Sequence, residues 1–596
     1  MLPDGALLSF SGKSWKFLDE DNDDLVRTMV AIHDVPEVSA RIMVNRGITN
    51  HGSVGRFLNA RIKDIMPDPL LIHDMKEAID RISEAIINNE KIFVFGDYDV
   101  DGIVSVYLVV DYLKKLGVDV TYRIPSRFDD GYGISTEAIE KVFESGAELL
   151  IIVDSGTNSI DEINAASRRG LDCVVVDHHT QLSSEIPDAI AVVNPNRNDQ
   201  GEIGDADIKC LCAAGVVYML LIALQRQLRD AGFFGDSGEP NLIDYVGVVA
   251  LGTLCDVMKV TGLNRAYINL AMKTQKFPKG IEALIKASSI DKISSPDDFS
   301  FVIGPAINAA GRIHDPSIVI DMLLSENDNK TIHLAEQLID LNNTRKRIEK
   351  KMLEEAISMV NENGLYNDNA IFVYNKGWHG GVIGIAASKL KDRFSRPTFV
   401  ATFGDNGIGI GSARSSENDI NVAYALSEAV SRGILISGGG HSMAGGFSLP
   451  IENAVVFRDF LNSNFRAKQE NILNIDCSVP KSINLKKLSD CVALLEPYGK
   501  GVEPPVFCMK NLLFTHARYT QLHDHIIVCF KGEWNSVIRT IIFNADLKEN
   551  IVKLMQQNSN KYLDLAFSVR KNEKYGVSIV VEDLRLSEPD QRKITE

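Results

Sequence analysis

Five short apolar runs between residues 91 and 195 constrain this 596-residue chain most. They are Lys91-Ile-Phe-Val-Phe95, Val118 to Ile124, Leu149-Leu-Ile-Ile-Val153, Leu171-Asp-Cys-Val-Val-Val176 and Ala189-Ile-Ala-Val-Val193. Stretches of helical length and periodicity, such as Ile103 to Leu116, lie between them. Apolar strands of this kind, alternating with helices, need cover on both sheet faces, so the fold class is α/β with a parallel sheet. Ligands of such open sheets bind beyond the carboxyl ends of the strands. Three of the five runs end there on acids or imidazoles.

The first run leads into Gly96-Asp-Tyr-Asp-Val-Asp-Gly102. Asp97, Asp99 and Asp101 repel one another, and with no basic residue in the loop a divalent cation is the natural counter-charge. An EF-hand opens similarly, but its twelfth position needs a bidentate Glu and here holds Leu108, and this loop follows a strand. Asp154-Ser-Gly156 ends the third run; alone it reads equally as a turn or helix cap. Asp177-His-His179 ends the fourth, and neighbouring imidazoles diverge, so one can hold a metal while the other faces substrate. A mixed oxygen and nitrogen donor set suits Mn²⁺, and Mg²⁺ also fits. Five or more ligands point to two ions, which clamp the attacking and leaving oxygens of a phosphoryl displacement. The pattern predicts metal-assisted phosphoester hydrolysis.

Composition narrows the class. The hydrophobic share of 45% and charged share of 24% are those of a globular protein. A net charge of -17 excludes a surface that coats DNA throughout, though not a local basic groove. The eight cysteines form no C-x-x-C pair, so reduced thiols of a cytoplasmic protein are expected, with no zinc site or disulfide framework. No signal peptide is expected from Met1-Leu-Pro-Asp-Gly5, and the longest apolar run, Ala213 to Leu224, is too short for a bilayer. A monomer without membrane contact is expected. The domain reading is a helical segment, 1–90, packing on a sheet domain, 91–326. A long exposed helix, 327–363, then leads to a second α/β unit, 364–465. A polar linker around 465–475 precedes a small β-barrel, 471–596.

With Gly252-Thr-Leu-Cys-Asp-Val257, the three loops resemble, in order, the four motifs of the DHH phosphoesterases. Gly438-Gly-Gly-His-Ser-Met-Ala-Gly-Gly446 is similar to the glycine-rich signature of the associated DHHA1 domain. Gly304 to Arg312, Gly377 to Gly384 and Pro497 to Phe507 resemble stretches of the family's bacterial single-strand-specific exonucleases, and the barrel resembles their OB-fold. The resemblance implies that Asp97, Asp99, Asp101, Asp154, His178 and Asp256 hold two divalent ions, Mn²⁺ or Mg²⁺, with Asp154 bridging. His179 would stabilise charge on the scissile phosphate. It further implies 5′→3′ release of mononucleotides from single-stranded DNA in recombination and repair, with a helicase and a single-strand-binding protein as neighbours. Arg127, Arg312, His379, Ser412, Arg414 and His441 would contact DNA, Ser412 and Arg414 anchoring the 5′ phosphate with Arg127 beside them. Taken singly, each arginine is more often a salt-bridge partner, and Asp256 could simply end a helix.

In the barrel, Phe514, Arg518, Tyr519, Phe530 and Lys531 are candidates for stacking or backbone contact, although small-barrel aromatics are usually core. The barrel is expected to supply affinity without touching the metals. Two other readings stay open. One is a DHH hydrolase of oligoribonucleotides, cyclic dinucleotides or pyrophosphate, whose chains usually stop after DHHA1. The other is a non-catalytic replicative-helicase scaffold on a decayed core, against which the full set of acids and histidines argues.

Overall fold

The computed structural model describes residues 9–18, 22–127, 133–201, 207–235, 238–416, 419–466, 472–520, 525–532, 536–543, 557, 561–572 and 576–587. Its first sheet is five-stranded and parallel, in the spatial order Val120–Arg123, Ile92–Phe95, Leu149–Val153, Asp172–Val176, Ala191–Val193. Ile92–Phe95, Leu149–Val153 and Ala191–Val193 are buried at every residue, because helices cover both faces. Met75–Asn88, Val100–Lys115 and Ala213–Asp230 share the core on one face, and Thr136–Ser145 and Ile160–Arg168 that on the other. From Ile92–Phe95 the chain crosses to one neighbour, Val120–Arg123, and then returns past it to Leu149–Val153. The strand order thus reverses between Ile92–Phe95 and Leu149–Val153, and loops leaving such a pair open a crevice.

Helix Asp328–Glu362, about 52 Å long at 1.5 Å per residue, joins two bodies. Ala335 and Leu338 enter the first core; Met352, Ala356 and Val360 enter that of the next unit. The second unit has a sheet ordered Ser437–Gly440, Ala444–Pro450, Ile408–Arg414, Thr398–Phe403, Ile371–Lys376, antiparallel except for its last pair. Ile383–Phe394 covers one face, and Val422–Ser431 and Ala454–Asn464 the other.

The C-terminal strands form a barrel closed by pairing of Phe507–Tyr519 with Tyr562–Asn572. Here the structure corrects the sequence reading of residues 1–90. Val26, Met29, Ile42, Met43 and Phe57 share one core with Leu488, Phe507, Phe530 and Phe567. Ser14–Phe17 pairs in parallel with Ile472–Ile475, and Trp15 Nε1 donates to Asp583 Oδ2 at 3.0 Å. The segment joins the sheet-domain core only from Ile62 onward, although before it helix His51–Leu58 touches that domain where the Phe57 carbonyl accepts Arg265 Nε at 2.8 Å. Helical periodicity shows that a face is apolar but not which partner covers it. Most of the expected polar linker, 467–471, lies outside the described residues. Among the described residues no helix is long and apolar enough to cross a membrane.

Candidate metal centre

The loop after Ile92–Phe95 turns sharply into helix Val100–Lys115. Asp99 caps that helix, its Oδ1 accepting the Gly102 amide at 3.1 Å. Residue 102 must be glycine, since a Cβ there would lie 2.5 Å from the Asp97 carbonyl oxygen. Across the crevice, Asp154 follows Leu149–Val153 with a left-handed φ of 57°. Asp256 ends the buried helix Val246–Cys255. His178 Nε2 lies 3.3 Å from Asp154 Oδ1, 3.6 Å from Asp256 Oδ2 and 3.9 Å from Asp101 Oδ2. Three overlapping sets bring one ligand atom per residue within 4.8 Å of each other: Asp97, Asp99 and Asp154; Asp154, His178 and His179; Asp101, His178 and Asp256.

Asp101 differs from the other acids. Its two oxygens accept the amides of Ala213 (2.7 Å) and Ala214 (3.1 Å), at the positive end of helix Ala213–Asp230. Gly252 makes room for it, because a Cβ there would be 2.6 Å from Asp101 Oδ1.

The electrostatics fit bound cations. Burial and the Asp99 charge push Asp97 up to about 7 and Asp101 up to about 6. Burial and the charges of Asp101 and Asp99 push Asp256 up to about 8. Asp154, wholly buried among the other four acids, is raised well above the ordinary carboxylate range. Asp97 Oδ1 and Asp154 Oδ1 are buried without a hydrogen-bond partner. Orphaned carboxylate oxygens facing other carboxylates are costly unless a cation joins them. Hard oxygen donors with one or two imidazoles match Mn²⁺ or Mg²⁺.

The histidines are held in different states. Burial and the nearby His179 charge push His178 down to about 4, leaving it neutral, as a metal-binding imidazole must be. His179 Nδ1 lies 2.7 Å from Asp177 Oδ1; burial opposes its charge, but this partner raises it to about 9. Behind them, Asn194 Nδ2 donates to the His179 carbonyl at 2.8 Å and Asn196 Nδ2 to the His178 carbonyl at 2.6 Å.

A basic cluster borders the same cleft. Arg127 stacks on the Tyr98 ring at 4.5 Å. Arg312 Nη1 donates to the Gly381 carbonyl at 3.1 Å, across the two α/β units, and His379 Nδ1 accepts the Gly381 amide at 3.1 Å. Arg414 Nη1 donates to Ser412 Oγ at 3.0 Å and to the Ala413 carbonyl at 2.8 Å. Burial, reinforced by the charges of Arg127, Arg345 and Arg414, pushes Arg312 down to about 10. These hydrogen-bond partners of Arg312 and Arg414 are neutral, so the cluster favours an anion. His441 lies in the hairpin between Ser437–Gly440 and Ala444–Pro450, its amide donating to the Ala444 carbonyl at 2.7 Å.

The DHH family N-terminal domain matches residues 91–253, the DHHA1 domain residues 367–467, and the RecJ OB domain residues 475–581. The single-stranded-DNA-specific exonuclease RecJ of Salmonella typhimurium is 34% identical over 92% of this chain and 96% of its own. The chain belongs to the RecJ family. RecJ of Dickeya dadantii is 31% identical, again over 92% of this chain and 96% of its own. In fold, the chain is similar to the RecJ of Thermus thermophilus, crystallised with Mn²⁺, at a TM-score of 0.79 and 24% identity over 96% of this chain and 80% of that one.

Relative to the sequence reading, the cleft gathers Asp97, Asp99, Asp101, Asp154, His178, His179 and Asp256 on one side. The barrel candidates divide. Phe514 and Phe530 are buried core rings, edge to face at 6.2 Å, while Arg518, Tyr519 and Lys531 are exposed. A separate groove of about 1020 Å³, lined by Tyr498, Arg539, Phe543, Arg570 and Lys571 among others, runs between barrel and sheet domain. The sequence reading quoted Asp177 in its motif without giving it a role of its own, and passed over Asn194 and Asn196, although each follows a strand at the same sheet edge. It also passed over Arg345, buried within the polar run of the long helix. Arg345 Nη1 donates to Glu349 Oε2 at 2.6 Å, and Glu349 pairs in turn with Lys389 at 2.6 Å.

Proposed function

We propose that this chain hydrolyses single-stranded DNA from its 5′ end, releasing 5′-mononucleotides, with two divalent ions, Mn²⁺ or Mg²⁺, held by Asp97, Asp99, Asp101, Asp154, His178 and Asp256. The observation that carries the reading is the juxtaposition of this buried acid and imidazole cluster with an arginine cluster in one cleft. When bound, the ions supply Lewis-acid activation of water and neutralise charge on the phosphoryl group. Asp154 belongs to two of the three ligand sets, one with Asp97 and Asp99 and one with His178 and His179, and is assigned the bridging position. Asp101, already braced by two amides, has less freedom to turn toward an ion than the other acids.

His179 is protonated at neutral pH, and its ring, held at Nδ1 by Asp177, offers its other nitrogen to a phosphoryl oxygen as negative charge grows there. Arg414 and Ser412, with Arg127, are assigned the terminal 5′ phosphate, since guanidinium forks suit a dianion. Arg312, His379 and His441 are assigned neighbouring phosphates. The groove lined by Tyr498, Phe543 and Arg570 suits the rest of the strand better than the core pair Phe514 and Phe530 does. The domains are assigned as residues 91–326, 364–465 and 471–596 around the helix 327–363, and the chain as a cytoplasmic monomer. Work in recombination and repair beside a helicase and a single-strand-binding protein is inferred from the family alone.

The testing experiment follows 5′-labelled and 3′-labelled single strands with Mn²⁺ or Mg²⁺. Labelled mononucleotide should come first from the 5′ label, while the 3′ label stays in shortening strands. Release in the opposite order overturns the polarity.

A further inference from the structure

The barrel unit grips the segment that follows Asp256. Val260 donates its amide to the Lys500 carbonyl at 2.8 Å. Gly499 lies so close that a Cβ there would be 2.4 Å from Val260 Cγ2. Between Asp256 and this contact, Val257 has a φ of 54°, a left-handed conformation that β-branched residues rarely adopt, and its side chain is 60% exposed. No burial of its own holds it there, so the surroundings must impose the conformation.

The gripping loop is itself fixed from the sheet domain. Arg265, on helix Gly262–Thr274, is 2% exposed and spends its guanidinium on four carbonyls. Nη1 donates to Pro497 (2.8 Å), Nη2 to Leu495 (2.9 Å) and Glu496 (2.7 Å), and Nε to Phe57 (2.8 Å), whose ring lies 4.0 Å from the guanidinium carbon. A buried cation with only neutral partners is poorly compensated, so its fork is there to hold those carbonyls in place. One side chain thereby ties the sheet domain to the N-terminal helices and to loop 495–500.

We infer that Arg265 and loop 495–500 are positioning elements for Asp256, so that the barrel unit sets the geometry of a metal ligand as well as offering a surface to DNA. This replaces the expectation that the barrel leaves the metals untouched, and it rests on Asp256 being a metal ligand.

The test uses the full-length chain and Mn²⁺ alone, with bound Mn²⁺ read by electron paramagnetic resonance. Gly499→Ala should press on Val260 and raise the Mn²⁺ dissociation constant by roughly 10-fold, the lower end of losses from supporting residues around metals. Metal-free binding of a labelled oligothymidylate should stay within about twofold, since binding of that strand does not depend on the ligand geometry. Gly499→Ala with Val260→Ala removes the clashing methyl and should restore most of the Mn²⁺ affinity. Unchanged affinity in folded Gly499→Ala, or no recovery in the double variant, overturns the inference. If Gly499→Ala does not fold, Arg265→Lys takes its place. It keeps the charge but loses the fork, so the same rise is expected, and unchanged affinity again overturns the inference. Asp256→Asn separates the two readings: if it binds Mn²⁺ as tightly as wild type, the assignment of Asp256 itself is wrong.

Discussion

Asp177 Oδ1 lies 2.7 Å from His179 Nδ1, and the same carboxylate accepts the amides of Thr157, His178 and His179. Burial would raise this acid, but the His179 hydrogen bond and charge hold it well below the usual carboxylate range. Asp177 therefore orients the histidine pair and keeps His179 charged.

Asp177→Asn should lower the rate by roughly 10- to 100-fold, as losses of supporting carboxylates do. The alkaline limb of the pH–rate profile is the diagnostic. In wild type, activity that needs the His179 imidazolium falls as pH rises through about 9. In the variant that limb should move to lower pH. A fall in rate with the limb unmoved would assign Asp177 a role apart from charging His179.

The acids give a linkage prediction. Asp97, Asp101 and Asp256 are raised to about 7, 6 and 8 from an ordinary 3.8. A group raised in the folded state contributes stability that is full below its unfolded value and lost as pH climbs through the folded one. The Tm of chelated protein should therefore fall from about pH 4 to about pH 8, and the Tm gain from Mn²⁺ should grow over the same window. Asp154→Asn should raise the chelated Tm at about pH 8, remove most of the Mn²⁺ gain and cut the cleavage rate by several orders of magnitude, because one repelling ligand is gone. Differential scanning calorimetry with and without Mn²⁺ reads both Tm effects.

Much of this centre was legible because strands buried on both faces are nearly pure in apolar residues, so Asp97, Asp154 and His178 announce themselves where the runs end. Asp177 was legible by the same rule, but its role was not, since only the fold shows its carboxylate turned back onto its own loop. The periodicity of Met75 to Asn88 is that of an amphipathic helix. Nothing local in Val26, Ile42 or Phe57 says that they cover a barrel more than 400 residues away in the chain. The two sides of Arg265 were likewise invisible, because its partners are carbonyls, which every residue has.

That long-range packing bears on truncation. A chain ending at residue 466 would uncover Val26, Met29, Ile42 and Phe57, which share the barrel core. Limited trypsin digestion of this truncation should remove the region before about residue 60 rapidly, while full-length protein keeps it, because segments without buried contacts open readily. Equal resistance in the two chains would mean that the N-terminal helices have another support.

The proposed anchor of the 5′ phosphate is Arg414, whose Nη1 donates to Ser412 Oγ at 3.0 Å. Arg414→Ala should still cut, but lose most of the preference for 5′-phosphorylated over 5′-hydroxyl strands. Charge-assisted hydrogen bonds contribute about 1.5–3 kcal/mol, so the kcat/KM ratio should drop by roughly 10- to 150-fold. Gly384→Ala should act in the same direction, since a Cβ there would lie 3.1 Å from Arg414 Nη2 and 3.0 Å from Ser412 Oγ.

The central claim is that ions held by this acid and imidazole cluster touch the scissile phosphate. It is tested most directly with strands whose first internucleotide linkage carries sulfur in place of one non-bridging oxygen. Sulfur binds Mg²⁺ poorly and softer ions such as Mn²⁺ better. One sulfur diastereomer should be cut far more slowly than the oxygen strand in Mg²⁺, by roughly 10²-fold or more, and recover most of its rate in Mn²⁺. If both diastereomers are slowed equally in Mg²⁺ and in Mn²⁺, the ions do not contact that phosphate and the assignment of this centre fails.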